Sequence, residues 1–371
     1  MYECDDDHQV RRDPSGQADD HTDGRGDRLV LRLTSSADVV AAVPYLLGFH
    51  PENSLVAIGT DGPQGICAAR LDLSPVEYVT DAAEHLAAVL SGNRFGKAVL
   101  VGYGTSEQVV PIVSAALIAL SDRDIEVLEA LRVEGGRFWH VACENPMCCP
   151  PEGIPYDITT STIAAQATAA GHVALAGRGE VAGMVAPVDG TARASMRAAT
   201  EAAQRRLLAW KRECGDNDSL HRRIIDEGVP YVQAIIQHGR PLDDDEVAWL
   251  GVLLTVLRIR DEAWVRTDEN HLDLWRDVLR RVEPFYVAAP ACLTAYAAYL
   301  AGNGALANVA LDRAFAADPD YTMAQLLADL MLAGVPPSQA RLAMTPQDLA
   351  AAYEKQTRPG DDSGPPGGGR S

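Results

Sequence analysis

The segment over residues 29–59, LVLRLTSSADVVAAVPYLLGFHPENSLVAIG, decides the fold of the first half of the chain. Leucines alternate with other residues over 29–33, which is the period of a strand with one well-buried face. Ser35 and Asp38 then form a capping-box pattern, which satisfies orphan N–H groups at the start of a helix. The segment therefore opens with a predicted strand followed by a capped helix.

The same segment also predicts where this helix ends. Pro44 cannot donate a backbone hydrogen bond, so we expect the helix to be kinked or short. Gly48 is suited to the left-handed stop, and Pro51 forbids continuation. Apolar runs over 54–59 and 66–73 then predict two strands joined by a turn.

The alternation of strands and helices continues to about residue 189. Strand signals separated by helical ones at this spacing predict a mixed α/β sheet covered by helices, over residues 29–189. Further helices are predicted over 75–90, 106–120 and 160–170, and further strands over Lys97–Tyr103, 125–133, 137–142 and 172–176.

Strand patterns vanish from Gly190 onward, which predicts a separate all-α domain over residues 190–345. In its segment ANVALDRAFAADP, the spacing of Ala307, Leu311, Ala314 and Pro319 resembles the second helix of a tetratricopeptide repeat. Small residues there let two helices approach closely. A long helix is predicted over 192–213, and later helices start near Ser219, Asp243, Asp268, Pro290, Ala305 and Tyr321.

The two ends of the chain have the composition of disordered segments. Residues 1–28 contain eight aspartates and almost nothing apolar, so they cannot bury enough surface to fold. Residues 346–371 are interpreted as the end of a last helix followed by a tail rich in glycine and proline.

The formal net charge of -20, from 52 acidic and 32 basic residues, argues against nucleic-acid binding and against anionic membranes. Residues 1–28 contain no hydrophobic run that would make a secretory signal. The seven cysteines are an odd number spread through the chain, which favours a reducing compartment. We therefore expect a cytoplasmic protein.

The cysteines that follow the predicted strand over 137–142 form the strongest site signal. Cys143, Cys148 and Cys149 lie in a loop stiffened by prolines, with His140 three residues before the first of them. Three thiolates and an imidazole are zinc ligands, and the imidazole would come from His140 or from a distant histidine such as His50 or His172. The alternatives are structural thiols, including a disulfide, and a reactive thiol with a lowered pKa.

A second candidate site combines His50, Glu52, Arg70 and Asp72. The first two precede one strand, and the other two lie on the strand predicted next to it, so the four could converge. They would then form a general acid/base cluster. The alternative is a buried Arg–Asp pair with a histidine that bonds loop carbonyls.

Gly102-Tyr103-Gly104 lies between a strand and a helix, where free N–H groups can bind phosphate. The dinucleotide fingerprint requires another glycine where this chain has Glu107, and a carboxylate there would repel phosphate. An ordinary strand-to-helix turn is the alternative. The common hydrolase and NTPase motifs GxSxG, the P-loop and HExxH are absent from the sequence.

Three segments carry a resemblance to a known family. VPYLLGFHPENSLV, the ARLDL around Arg70 and Asp72, and CENPMCCPPEGIPYD over residues 143–157 resemble an actinobacterial family called domain of unknown function 4192. The resemblance extends over residues 29–343. The family has no established activity, so the resemblance implies kinship and no mechanism.

Two functions are consistent with these patterns. The first is a binding or regulatory protein whose helical domain contacts a protein partner, through an exposed apolar surface that includes Trp249, Trp264 and Trp275. The second is a metal- or thiol-dependent enzyme built on the cysteine loop. A polar cleft with the cysteines in its wall would favour the second.

Overall fold

The computed structural model describes residues 33–63, 65–73, 75–141, 143, 145–342 and 344–357. The predicted strand over 29–33 lies outside these residues apart from Leu33, and so do the predicted tails over 1–28 and 358–371. The chain divides between Arg178 and Gly179 into two compact units, an amino-terminal and a carboxy-terminal unit. The loss of strand patterns predicts this boundary later, between residues 189 and 190.

Within the described part of the amino-terminal unit, six strands form one mixed sheet in the order β2-β1-β3-β4-β5-β6. β3 and β4 are parallel and the other neighbours are antiparallel. The predicted mixed sheet is confirmed. The strands are β1 Ser54–Gly62, β2 Gly65–Asp72, β3 Lys97–Tyr103, β4 Glu126–Glu134, β5 Arg137–His140 and β6 Ile154–Pro155; the helices are α1 Ser36–Leu47, α2 Val79–Gly92, α3 Ser106–Ser121 and α4 Thr162–Ala169.

The first helix, α1, begins and ends where the sequence predicts. The Ser35 side chain accepts a hydrogen bond from the Asp38 N–H at 3.2 Å. The Asp38 carboxylate accepts hydrogen bonds from the N–H and the hydroxyl of Thr34, at 2.9 and 2.8 Å. The helix continues through Pro44 and stops at Gly48, whose φ is 80°. Capping at both ends thus fixes the length of α1.

Helices cover both faces of the sheet, as expected for strands whose alternate residues point to opposite sides. Val56 and Val101 pack with residues of α1 on one face. Leu55 and Leu100 pack with residues of α2 and α3 on the other face. Each such aliphatic side chain contributes about 1.5–3 kcal/mol through its burial, so the two cores fix the sheet between its helices.

The strand predicted over residues 172–176 is wrong. This segment forms a single bridge, in which Leu175 pairs with Phe49 of the loop after α1. The His50 N–H donates to the Leu175 carbonyl, and the Leu175 N–H donates to the Gly48 carbonyl, both at 2.9 Å. The apolar run is short and lies between Gly171 and Gly177, so it pairs with a loop instead of extending the sheet.

The described residues of the carboxy-terminal unit are helical, as predicted, and contain no strand. Its helices are α5 Arg178–Met184 (which begins at the boundary), α6 Gly190–Cys214, α7 Asn217–His238, α8 Asp244–Leu253, α9 Leu257–Arg266, α10 Leu272–Arg281, α11 Ala288–Leu300, α12 Gly304–Ala317, α13 Thr322–Leu332, α14 Pro337–Ala340 and α15 Pro346–Thr357. In none of the helices described is there an apolar stretch long enough to traverse a lipid bilayer.

Helices α11 and α12 form the centre of the carboxy-terminal core. Ala307, Leu311 and Ala314 of α12 are buried, and the helix ends at Ala317, two residues before Pro319. Burial of small residues at this spacing allows close helix packing. The assignment of this hairpin to the tetratricopeptide class stays a prediction.

The tryptophans invoked for partner binding do not form an exposed surface. Trp249 and Trp275 are buried in the core, and Trp264 is half-buried with its ring edge-on to Tyr296. The expectation that these three rings are exposed was wrong, because they lie where the helices pack. A protein partner for the helical unit stays a prediction without them.

Candidate functional site

A cavity of about 320 Å³ lies at one end of the strands of the sheet. Ser54 pairs with Tyr103, and Tyr103 pairs with Val133, so the start of β1 and the carboxyl ends of β3 and β4 meet there. Ligands in α/β proteins bind outside the carboxyl ends of parallel strands. The lining residues are Val40, Pro44, His50, Pro51, Glu52, Asn53, Tyr103, Gly104, Val133, Glu134, Gly135, Tyr156 and Ile158.

The loop between α1 and β1 supplies four consecutive residues of the cavity wall, from His50 to Asn53. The bridge to Leu175 holds the start of this loop. The Asn53 carbonyl accepts from the Leu73 N–H at 2.9 Å and holds its end. Asn53 itself has φ of 43°, a left-handed conformation that asparagine tolerates better than most residues. Backbone hydrogen bonds at both ends thus hold the loop that presents His50 and Glu52.

The structure separates the predicted cluster of four residues into two pairs. His50 and Glu52 line the cavity, whereas Arg70 and Asp72 are not among its lining residues. Arg70 Nη2 lies 2.5 Å from Asp72 Oδ1, and the aspartate side chain is 67% exposed. The Arg–Asp pair is therefore partly buried, since the Arg70 side chain is only 17% exposed, and the guanidinium carbon lies 5.6 Å from the centre of the Phe49 ring.

Three buried polar atoms at this end of the sheet have no hydrogen-bond partner among the described residues: Ser54 Oγ, Arg70 Nε and Tyr103 Oη. Tyr103 packs with the α1-side core. Ser54 is two residues from Val56 of the same core, and Arg70 pairs directly with Val56, so all three side chains belong to one face. A buried hydroxyl without a partner costs about 1–3 kcal/mol. Of these three residues, Tyr103 lines the cavity.

The charged groups of the cavity wall are acidic. Glu52 and Glu134 both line it, and the lining contains no lysine or arginine. Arg132 Nη1 donates to Glu134 Oε2 at 2.5 Å, which offsets one of the two charges. Burial raises the pKa of the Tyr103 phenol far above its usual range. Tyr103 is therefore a neutral hydroxyl that can donate or accept a hydrogen bond.

At the helix end beside the cavity, some N–H groups are already hydrogen-bonded within the chain. The Gly104 N–H donates to the Val133 carbonyl at 3.1 Å. Thr105 and Gln108 form a reciprocal capping box at the start of α3. These bonds use N–H groups that a phosphate would need. The geometry fits the ordinary strand-to-helix turn for Gly102-Tyr103-Gly104.

The cysteine loop brings its three thiols together. Among the described residues, the sulfurs of Cys143, Cys148 and Cys149 form a group within 4.8 Å of one another. Cys143 Sγ is 3.5 Å from Cys148 Sγ, which is 3.7 Å from Cys149 Sγ. Burial, together with the neighbouring thiols, raises the pKa of Cys149. These cysteines are not among the residues that line the cavity.

His140 does not belong to the group of three sulfurs. Its Nε2 atom lies 3.4 Å from Ser36 Oγ, and its Nδ1 atom lies 3.9 Å from Glu129 Oε1. The Ser36 hydroxyl also donates to the Glu129 carboxylate. His140 therefore lies between α1 and β4, away from the position of a fourth zinc ligand.

Sequence reasoning missed Tyr103, Glu134 and Tyr156 as residues of the cavity wall. In the sequence, Tyr103 stands out only as the middle residue of the glycine-rich turn Gly102-Tyr103-Gly104. The signal that could have found it is a tyrosine at the end of the apolar strand KAVLVGY, because a buried phenol needs a partner. Glu134 belonged to a hairpin pattern, and nothing in that pattern places it opposite the loop that carries His50.

Comparison with known proteins gives one match. A family model described as Domain of unknown function (DUF4192) matches residues 37–338 of the 371-residue chain. The match includes the residues that line the cavity and those of the cysteine loop. No curated protein and no solved structure matches the chain.

Proposed function

The chain belongs to the family described as Domain of unknown function (DUF4192), and from the chemistry of the cavity we propose that its amino-terminal unit binds a small organic amine. The protonated amine lies between the carboxylates of Glu52 and Glu134, and its carbon skeleton contacts apolar lining residues such as Val40 and Val133. This is a binding function, but it differs in ligand and in place from the expected contacts of the helical domain with a protein partner.

The charge of the wall supports an amine over an anion. Two carboxylates and no lysine or arginine line the cavity, so a phosphate or carboxylate ligand would meet like charge. The aromatic rings of Tyr103 and Tyr156 line it as well, and ring faces attract organic cations. A volume of about 320 Å³ lies at the lower end of the usual range for small-molecule sites, which favours a compact ligand.

One observation carries the proposal: Tyr103 is buried and lines the cavity, yet its phenol oxygen has no partner among the described residues. Buried hydroxyls in folded proteins are almost always hydrogen-bonded. A polar ligand in the cavity supplies the missing partner.

The test compares matched probes on the full chain. Small alkyl and aryl amines are titrated against the alcohol and the carboxylate of the same skeleton, with thermal unfolding and calorimetry as measurements. A ligand that binds only the folded state stabilises it by about 2.7 kcal/mol at one hundred times its dissociation constant. The amines are expected to raise the midpoint, the alcohols less, and the carboxylates not at all.

Two variants separate binding in this cavity from general charge attraction. Glu52→Gln removes a carboxylate of the wall and is expected to weaken amine binding. Glu126→Gln removes a carboxylate at the opposite end of the sheet, where Glu126 lies 3.4 Å from Lys97, and is expected to leave binding unchanged. Equal losses in both variants, or tighter binding of the carboxylate probes, would contradict the proposal.

A further inference from the structure

The sulfur positions in the cysteine loop match part of a metal coordination sphere. Tetrahedral zinc bound to thiolates at about 2.3 Å keeps its sulfurs about 3.8 Å apart. The Cys143–Cys148 and Cys148–Cys149 sulfur separations of 3.5 Å and 3.7 Å are close to that distance. They are far from the bonded distance of about 2.05 Å in a disulfide. Two of the three sulfur pairs therefore match an edge of the zinc tetrahedron, and the third pair lies within 4.8 Å.

The backbone of the loop produces this arrangement. The Asn145 carbonyl accepts from the Cys149 N–H at 2.8 Å, and the Asn145 side chain accepts from the Met147 N–H at 3.0 Å. The resulting tight turn brings Cys148 and Cys149 back toward Cys143. The turn leaves Met147 at its tip, 93% exposed. Hydrogen bonds within the loop itself thus bring the sulfurs together.

Side chains of β5 hold the segment that follows the cysteines. Trp139 Nε1 donates to the Pro151 carbonyl at 2.9 Å, and Arg137 Nη1 donates to the Gly153 carbonyl at 2.7 Å. A site whose ligands are held in place before binding loses less entropy when the ion arrives. The loop is thus both tethered to the sheet and accessible, since Cys148 is exposed.

We propose that Cys143, Cys148 and Cys149 bind one Zn²⁺ as three thiolates, with the fourth position open to water or to an external ligand. Binding converts three thiols and one zinc ion into a complex of net charge −1 and releases three protons. Thiolates select zinc over the harder cations magnesium and calcium. The site is independent of the amine cavity, because none of the three cysteines lines that cavity.

The test uses the full chain, reduced and freed of metal, with Co²⁺ and Zn²⁺ as probes. Cobalt in a tetrahedral thiolate site gives a sulfur-to-metal charge-transfer band and intense visible bands. One equivalent of Co²⁺ is expected to saturate both bands, and Zn²⁺ is expected to displace it. Zinc analysis of protein purified without chelator is expected to give one ion per chain.

Cysteine variants assign the ligands. Cys148→Ser removes a proposed ligand and is expected to weaken zinc binding by more than about a hundredfold, since losing even an indirect partner of a ligand costs 10–100-fold. Cys214→Ser changes a cysteine at the end of α6, outside the group, and is expected to bind zinc like the parent. Circular dichroism establishes that both variants are folded.

Two outcomes would overturn this site. The first is a reduced, folded parent that gives no charge-transfer band at excess Co²⁺. The second is equal zinc affinity in the parent and in Cys148→Ser. Because the parent alone gives the first result, the test does not depend on any variant being stable.

Discussion

Ser54 of β1 and Tyr103 of β3 are direct partners across the antiparallel strand pair. Each is buried, and each has a side-chain oxygen without a hydrogen-bond partner among the described residues. Two buried oxygens without partners, on paired residues at the end of the sheet that carries the cavity, are a local cost to stability. That cost is the physical basis for placing a polar ligand there.

Replacement of Tyr103 by phenylalanine tests this cost. Because the hydroxyl is buried without a partner, we expect Tyr103→Phe to stabilise the ligand-free protein, by on the order of 1 kcal/mol. The same change is expected to weaken amine binding. Tyr78→Phe, at a tyrosine that is 57% exposed, serves as the control with unchanged stability. Chemical denaturation measures both, and a destabilised Tyr103→Phe would show that the hydroxyl already has a structural partner.

The close contact between β3 and α3 predicts that a side chain larger than that of glycine at position 102 destabilises the protein. A Cβ atom there would lie 2.3 Å from Val109 Cγ1. We expect Gly102→Ala to destabilise the chain by about 1–3 kcal/mol through overpacking. Adding Val109→Ala removes the obstructing atoms and is expected to recover part of the loss. If thermal unfolding finds Gly102→Ala neutral, the strand and helix are not packed this closely.

A buried carboxylate organises helix α9. Glu262 accepts hydrogen bonds from Gln233, Arg258 and Arg266 at 2.6–2.8 Å, and its side chain is only 2% exposed. Removing one member of such a network leaves buried charges uncompensated, so Glu262→Ala is expected to cost about 3–5 kcal/mol. Glu201→Ala, in an exposed pair with Arg205, is expected to change stability by less than about 1 kcal/mol. Similar losses in urea unfolding of the two variants would contradict this.

The same carboxylate predicts a pH dependence. Burial acts to raise the pKa of Glu262, but the hydrogen bonds from Arg258, Gln233 and Arg266 lower it overall. A pKa that is lower in the folded than in the unfolded chain gives stability that is present above the unfolded value of about 4.3 and lost as the pH falls through the folded value. Unfolding of the parent and of Glu262→Gln, followed from pH 7 downward, measures this. The stability gap between them is expected to narrow in acid, and a constant gap would show that Glu262 does not titrate in this way.

The proposed zinc site predicts a response to chelator. In the parent, a chelator removes an ion that binds the folded loop, so the thermal midpoint is expected to fall. The double variant Cys148→Ser/Cys149→Ser lacks two ligands. Its thermal midpoint is expected to be lower than that of the parent and to be unaffected by the chelator. A reductant without chelator is expected to leave the parent unchanged, since no disulfide is involved. A midpoint that responds to reductant alone would favour a disulfide in the loop.

Signals from residues close together in the sequence predicted the helices and strands well. Contacts between distant segments could not be predicted in this way. The cap at Ser35 and the stop at Gly48 involve residues close together in the chain, so α1 could be placed from its own sequence. The segment over 172–176 has apolar residues like a strand, but its partner turned out to be Phe49, more than a hundred residues earlier. Such a pairing depends on the folded sheet, and no local pattern specifies it.

The candidate sites divide in the same way. Cys143, Cys148 and Cys149 lie within one loop, so their proximity could be predicted from spacing. His140 is adjacent in sequence, yet the alternation of β5 and the packing of α1 direct it to Ser36 and Glu129. The cavity combines four separate segments of the chain. Its wall became visible only once the register of β1, β3 and β4 was known.

The most direct test of the amine site is amide chemical-shift mapping on the full chain, using the amine that gives the largest thermal shift. The largest changes are expected on residues 50–53, 103–104 and 133–135, and Tyr103→Phe is expected to diminish them. Changes confined to the carboxy-terminal unit, or the absence of any saturable change with any amine, would contradict the proposal that this cavity is the binding site.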